Sequence, residues 1–214
     1  IPIGIASIKP LGDRAACRQL LYDIGLNNER DLNNHNFWIG TVANCYRTKG
    51  LDTLIAGAEI AGKTALDATF IIIGGGPEFN LLRHEIIKRG LSSRVFMLGF
   101  INNAASLLPA FDLFVLPSRK EGLPYTLLEA MSQGVPLVAT SVGAITDVIT
   151  NTKNGLIVPP DDPSALSQAI MYAVGHQNDI QLMAVAAKKT ASAFSLSAMI
   201  KKTMMAYRKP AEWS

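Results

Sequence analysis

The residues best equipped for chemistry stand in one short stretch, Pro117-Ser118-Arg119-Lys120-Glu121-Gly122-Leu123-Pro124-Tyr125-Thr126-Leu127-Leu128-Glu129-Ala130-Met131. Pro124 suits the first turn of a helix, where a missing amide costs nothing. The pattern predicts a helix over Pro124–Gln133, with Glu121 just before it and Glu129 inside it. Leu127, Leu128, Ala130 and Met131 surround Glu129, and a carboxylate on so apolar a helix needs a cation or hydroxyl donors. An internal salt bridge would satisfy it, and so would the paired hydroxyls of a ribose. On the second reading Glu121 accepts hydroxyls of another sugar. The amides of Gly122 and Leu123, at the helix N-terminus, then face phosphate.

Three other loops could meet this one. Asn44-Cys45-Tyr46-Arg47-Thr48-Lys49-Gly50 runs into a second helical stretch, Gly50–Ala61. A lysine is unfavourable beside the positive end of a helix. Lys49 and Arg47 therefore either point into water, which this loop alone favours, or hold an anion such as a diphosphate against the helix amides. Gly74-Gly75-Gly76-Pro77-Glu78 falls short of a dinucleotide fingerprint, whose third glycine would fall at Phe79. A tight turn with positive φ explains its glycines and still lets backbone approach a base or a phosphate. Ser141–Asp147 is small, and Asp147 there decorates a short helix. Further on, Asp162 before Pro163 is an N-cap arrangement.

Metal chemistry finds no support in the spacing. His35, His84 and His176 are scattered, Cys17 and Cys45 make no ligand or redox pattern, and no Asp-x-Asp pair occurs. The two cysteines read as reduced, small apolar residues.

The elements that must position these loops alternate. Near-continuous apolar runs at Phe37–Ala43, Thr69–Ile73, Val95–Leu98, Leu113–Leu116, Leu137–Ala139 and Leu156–Val158 suit strands buried on both faces. Between them lie helical stretches at Gly50–Ala61, Pro77–Lys88, Asn103–Ala110, Pro124–Gln133, Thr146–Ile149 and Pro163–Val174. A leading helix, Asp13–Gly25, is expected to stop at its glycine, and a polar connector, Asn27–Asn36, follows it. Ile180–Thr190 and Ser195–Tyr207 close the chain. Strict alternation implies a doubly wound parallel α/β sheet, Rossmann-like, with ligands at the carboxyl ends of the strands.

Composition agrees. The 214 residues are 49% hydrophobic and 17% charged, enough for a filled core and too apolar for a disordered segment. The net charge of +3 is spread along the chain, which argues against nucleic-acid binding as the main task. No run reaches the roughly 18–20 apolar residues of a membrane span. The opening Ile1-Pro2-Ile3-Gly4 lacks an initiating Met and a signal-peptide pattern, so the chain reads as a fragment.

Taken together, Ile39–Leu51, Gly74–Glu78, Leu98–Ile101, Pro117–Met131, Gly134–Thr140 and Asn154–Asp162 resemble the group-1 glycosyltransferases. These are retaining, metal-independent enzymes of GT-B architecture, two facing Rossmann-like domains. The resemblance covers about Ile3 to Tyr207 and implies that only the C-terminal, donor-binding half is present. On that basis residues 1–36 are the linker end and leading helix, and 37–194 the nucleotide-sugar-binding domain. Residues 195–214 are a helix and tail that would pack on the absent N-terminal acceptor domain.

Residue by residue, the resemblance implies that Lys49 binds the donor diphosphate, Glu129 holds the ribose hydroxyls and Glu121 faces the donor sugar. Gly122 and Leu123 lie near sugar and phosphate, and Phe100, Ile101 and the Gly74 turn near the base. Where the family often has an arginine five residues before the lysine, this chain has Asn44, and Arg47 is expected to supply the missing cation. Ala144 replaces the second of a glycine pair, and Ile3 stands where the family usually has Asn before Gly.

The implied activity is transfer of a sugar from a UDP- or GDP-linked donor to a glycan or lipid-linked acceptor in cell-surface polysaccharide synthesis. The fragment alone is expected to be inactive. No cofactor or metal is implied. The implied location is the cytoplasm, with peripheral contact to the inner membrane through the full-length protein. Two alternatives stand beside this: a non-catalytic module that binds a nucleotide sugar, and a dinucleotide-dependent oxidoreductase, against which the broken glycine pattern argues.

Overall fold

The computed structural model describes residues 4–27, 37–64 and 67–208. Six strands form one parallel sheet: β1 (Phe37–Val42), β2 (Ala68–Ile73), β3 (Val95–Gly99), β4 (Leu113–Leu116), β5 (Leu137–Thr140) and β6 (Leu156–Val158). Their spatial order is β3-β2-β1-β4-β5-β6. Every strand falls on one of the apolar runs.

Side chains alternate between two cores, one on each face, because successive strand residues point oppositely. Trp38, Ile71, Ile73, Phe96, Leu98, Phe114 and Leu116 join one cluster. Phe37, Ile39, Phe70, Ile72, Val95, Met97, Leu113 and Val115 join the other. Both faces are covered, so polar residues have no place to alternate and the strand sequences read as continuous apolar runs.

Helices supply the covers. α2 (Leu51–Gly62), α3 (Phe79–Lys88) and α6 (Pro163–Gly175) lie over the second cluster. α1 (Arg14–Asn27), α4 (Tyr125–Gln133) and α5 (Ile145–Val148) lie over the first. α7 (Gln177–Ala191) contributes to both, and α8 (Leu196–Arg208) closes the chain. α1 is fastened by Asp112, a buried carboxylate that accepts from Arg14, from Arg18 and from the Trp38 amide. The N-terminal segment is tied to the start of α8, since the Ile5 amide donates to the Phe194 carbonyl and the Leu196 amide to the Ile5 carbonyl.

Three local expectations shift. The stretch Ala104–Ala110 is a 3₁₀ helix rather than an α-helix, because Pro109 inside it has no amide for an i→i−4 bond. α1 runs through Gly25 to Asn27; glycine within a helix costs only about 1 kcal/mol against alanine. α3 begins at Phe79, not Pro77, and the Glu78 amide just before it donates to the Cys45 carbonyl at 3.0 Å. Asp162 caps α6 as expected, accepting from the Ala165 amide at 2.8 Å. Ile1–Ile3, the connector 28–36 and the tail 209–214 lie outside the described residues.

Candidate functional site

Strand order reverses between β1 and β4, where the chain leaves β1 for one flank and β4 for the other. A crevice opens at the carboxyl ends of such a pair. The loop leaving β1 carries Asn44 to Lys49, and the loop leaving β4 carries Ser118 to Leu123. The two loops expected to carry charge and carboxylate are therefore the two that flank the switch point.

Close backbone packing brings them together. Gly50, at φ 63, is the left-handed stop of the short turn Arg47–Lys49. A Cβ there would sit 2.0 Å from the Pro117 carbonyl oxygen, so only glycine lets the two loops touch. The amides of Arg119 and Lys120 both donate to the Thr48 carbonyl, at 2.8 and 3.3 Å. Gly74 performs the same service on the other side: at φ 151, a Cβ would lie 1.9 Å from the Ala43 carbonyl oxygen.

Across this junction Lys49 Nζ donates to Glu121 Oε1 at 2.7 Å. The Ser118 hydroxyl donates to the same oxygen at 2.6 Å. The Glu121 side chain is only 8% exposed, and these two donors compensate its burial. Ser118 is itself held, because the Thr140 hydroxyl donates to its carbonyl at 2.5 Å. Gly143, at φ 55, backs the loop from β5: a Cβ would stand 2.0 Å from the Glu121 carbonyl oxygen, and the Ala144 amide donates to the Gly122 carbonyl at 3.2 Å.

A cavity of about 400 Å³ opens over this junction, lined among others by Asn44, Lys49, Gly74, Phe100, Ile101, Glu121, Leu123, Tyr125 and Thr126. It is open, half apolar and large enough for part of a nucleotide. Most of the residues singled out in the sequence line it. Phe100 stands 77% exposed at its lip. Among the described residues that line it, Lys49 is the one basic side chain.

Three candidates do not line this cavity. Glu129 does not line this cavity; it is half-buried one turn beyond Tyr125 and Thr126, on the same side of α4. Its carboxylate makes no hydrogen bond or ion pair with any described residue, although its backbone carbonyl accepts from the Ser132 hydroxyl at 2.8 Å. The internal salt bridge weighed for Glu129 is absent there, and Glu121 holds one instead. Burial raises the Glu129 carboxyl above the ordinary glutamate range. Arg47 does not join Lys49. It is exposed and lines a second cavity, of about 450 Å³, on the far side of the two loops. Gly122 is exposed beside the first cavity, with nothing near its α-carbon.

Sequence reasoning missed Ser118, Arg119, Tyr125, Thr126 and Gly143. Ser118 and Arg119 sit in the same fifteen-residue stretch; Ser118 donates to Glu121 only three residues on, whereas the partners of the Arg119 side chain lie far along the chain. Among the described residues no three His, Cys, Asp or Glu side chains gather as metal ligands, and no helix is long and apolar enough to cross a membrane.

Comparison with known proteins fits this geometry. The family model for glycosyl transferases group 1 matches residues 27–190, and the chain belongs to that family. It is 31% identical over 178 residues to a 2-deoxystreptamine N-acetyl-D-glucosaminyltransferase of Streptomyces fradiae, covering 81% of this chain and 41% of that protein. It is 42% identical over 90 residues to the lipopolysaccharide core biosynthesis mannosyltransferase LpsB of Rhizobium meliloti, covering 41% of this chain and 26% of the relative. The chain thus spans less than half the length of these relatives.

Among solved structures, sucrose-phosphate synthase of Thermosynechococcus elongatus matches with TM-score 0.81 at 24% identity, over 97% of this chain and 51% of that one. Anabaena HepE in complex with UDP and glucose matches with TM-score 0.80 at 23% identity, over 95% of this chain and 54% of that one. The fold is thus the Rossmann-like α/β domain of GT-B glycosyltransferases.

Proposed function

We propose that the chain is the donor-binding part of a glycosyltransferase that moves a sugar from a nucleoside diphosphate to a glycan or lipid-linked acceptor. The observation that carries it is the Lys49–Glu121 pair, set at the sheet's switch point in an open cavity. HepE, whose structure holds UDP and glucose, shares the fold, and the relatives include a 2-deoxystreptamine N-acetyl-D-glucosaminyltransferase and a mannosyltransferase of lipopolysaccharide core biosynthesis.

In this reading the diphosphate lies between Lys49 and the N-terminus of α4. As the bond from the anomeric carbon to phosphate breaks, negative charge grows on the leaving diphosphate. A fixed ammonium stabilises that charge more than the ground state, which lowers the barrier. Glu121 accepts hydroxyls of the donor sugar, and Glu129, whose carboxylate has no partner among the described residues, accepts the hydroxyls of the ribose. Exposed Phe100 and the Gly74 turn border the base. Asn44 lines the cavity without charge, so Lys49 carries the diphosphate with the helix amides and without help from Arg47. The reading needs no divalent metal.

The test is a thermal-shift series on this chain with UDP, GDP and ADP, with and without common sugars. A ligand at a hundred times its dissociation constant adds about 2.7 kcal/mol to stability. Stabilisation by one nucleoside diphosphate is the expected result. A folded chain that none of the three shifts overturns the proposal.

A non-catalytic nucleotide-sugar module remains the second reading, favoured by the uncharged Asn44. Hydrolysis or transfer measured on the intact protein separates the two.

A further inference from the structure

Behind the Lys49–Glu121 pair, on the other side of the same two loops, Arg119 uses all five of its guanidinium donors. Nη1 donates to the Arg47 carbonyl at 2.7 Å and to Asp52 Oδ1 at 2.7 Å. Nη2 donates to Asp52 Oδ2 at 2.7 Å and to the Thr53 hydroxyl at 3.2 Å. Nε donates to Asp161. One side chain on the loop after β4 thereby grips the loop after β1, the first turn of α2 and the β6–α6 connection.

Its partners are built to receive it. The two-pronged contact with Asp52 fits the planar fork that only arginine offers. Burial would raise the Asp52 carboxyl, but the hydrogen bonds and charge of Arg119 outweigh it and hold the carboxyl below the ordinary range. Asp161 adopts φ 56, a left-handed conformation that a non-glycine residue takes at a cost and that Asp tolerates better than most. That conformation is kept where its carboxylate meets Arg119.

The sequence neighbours matter most. Arg47 and Thr48, whose carbonyls accept from the Arg119 side chain and amide, directly precede Lys49. Glu121 follows Arg119 by two residues. We infer that Arg119 is a positioning residue for nucleotide-sugar binding: anchored by Asp52 and Asp161, it fixes the backbone on which Lys49 is aimed into the donor cavity. The inference rests on the donor-site reading given above. It adds a determinant outside the cavity, acting through Lys49 without touching the ligand.

The test is calorimetric titration with UDP, and in parallel GDP and ADP, of the parent chain, Arg119→Gln, Lys49→Ala and the double variant. A misplaced binding group is expected to cost Arg119→Gln about tenfold or more in affinity. In the Lys49→Ala background the same substitution should change affinity by less than about twofold, because contacting effects fail to add. Arg119→Lys should stay weak, having lost the fork. Asp161→Asn removes one charged arm at an exposed site, and in a fully folded chain it should show a smaller loss, again dependent on Lys49. Equal losses with and without Lys49 indicate general loosening and overturn the inference. So does parent-like affinity in both Arg119→Gln and Asp161→Asn while Lys49→Ala binds weakly. Parent-like binding by Lys49→Ala overturns the donor-site reading itself, and the inference with it.

Discussion

Lys49 and Glu121, 72 residues apart in the chain, meet at 2.7 Å across the point where the sheet reverses its strand order. The ammonium lines the cavity and neutralises a nearly buried carboxylate whose other donor is the Ser118 hydroxyl. Each member holds the other in place before any ligand arrives. On the proposed reading, a diphosphate entering the cavity would meet a cation already oriented, which avoids reorganisation at the moment of reaction.

Removing the ammonium should therefore affect function first. Lys49→Ala in the intact protein is expected to lose about 10²–10³ in turnover, the usual cost of deleting one charge-stabilising donor. Steady-state kinetics with the preferred donor would check it, and near-parent turnover would contradict the assigned role.

The same pair gives a stability signature. Lys49→Ala strands the Glu121 carboxylate with a single hydroxyl donor, and the chain should lose about 1–3 kcal/mol. Pairing Lys49→Ala with Glu121→Gln should recover most of that loss, since no charge is then left buried. Urea unfolding of the two single variants and the double completes the cycle.

Glu129 predicts an opposition between stability and binding. Its folded-state pKa is raised by burial, so folding favours the protonated form. The stability that this carboxyl permits is fully present below its unfolded pKa and is lost as pH rises through the raised, folded value. Glu129→Gln should thus melt higher than the parent at pH 7, and the difference should vanish in acid, below the ordinary glutamate range. The same variant should bind UDP more weakly if the carboxylate accepts ribose hydroxyls.

Gly143 and Gly122 should respond oppositely to alanine. At Gly143 a Cβ would collide with the Glu121 carbonyl at 2.0 Å and φ is 55, so Gly143→Ala must displace the loop that carries Glu121. Nucleotide affinity should fall about tenfold or more, as a binding group moves out of place. Gly122 has open space around it, and Gly122→Ala should melt within about 0.5 kcal/mol of the parent. Melting curves and UDP titration of both variants are the check.

Binding should not require a divalent cation. Glu121 is already engaged by Lys49 and Ser118, which leaves it a poor metal ligand. Titration with UDP in EDTA and in magnesium should give the same affinity; a large gain with magnesium would contradict the metal-independent reading.

Much of this was legible in the chain itself. Six strands were visible as continuous apolar runs because burial on both faces removes the need for polar alternation. The positions of Lys49 and Glu121 beside helix starts and of Glu129 within a helix were equally local, as were the glycines at Gly50 and Gly74. Local pattern failed where the decisive partner was remote. Pro109 turned one expected α-helix into a 3₁₀ turn, a cost visible in sequence; the contact of the Glu78 amide with the Cys45 carbonyl just before α3 is long-range and was not.

Sequence by itself determined the layered α/β fold and which four loops could hold a ligand, because periodicity and turn chemistry act within a few residues. Tertiary structure alone decided which charges meet. Lys49 found Glu121, Arg119 was taken by Asp52 and Asp161, Arg47 was turned to the other cavity, and Glu129 was left without a partner among the described residues. Those outcomes depend on strand order and on backbones packed to within a missing Cβ, and both are set by contacts between residues far apart in the chain.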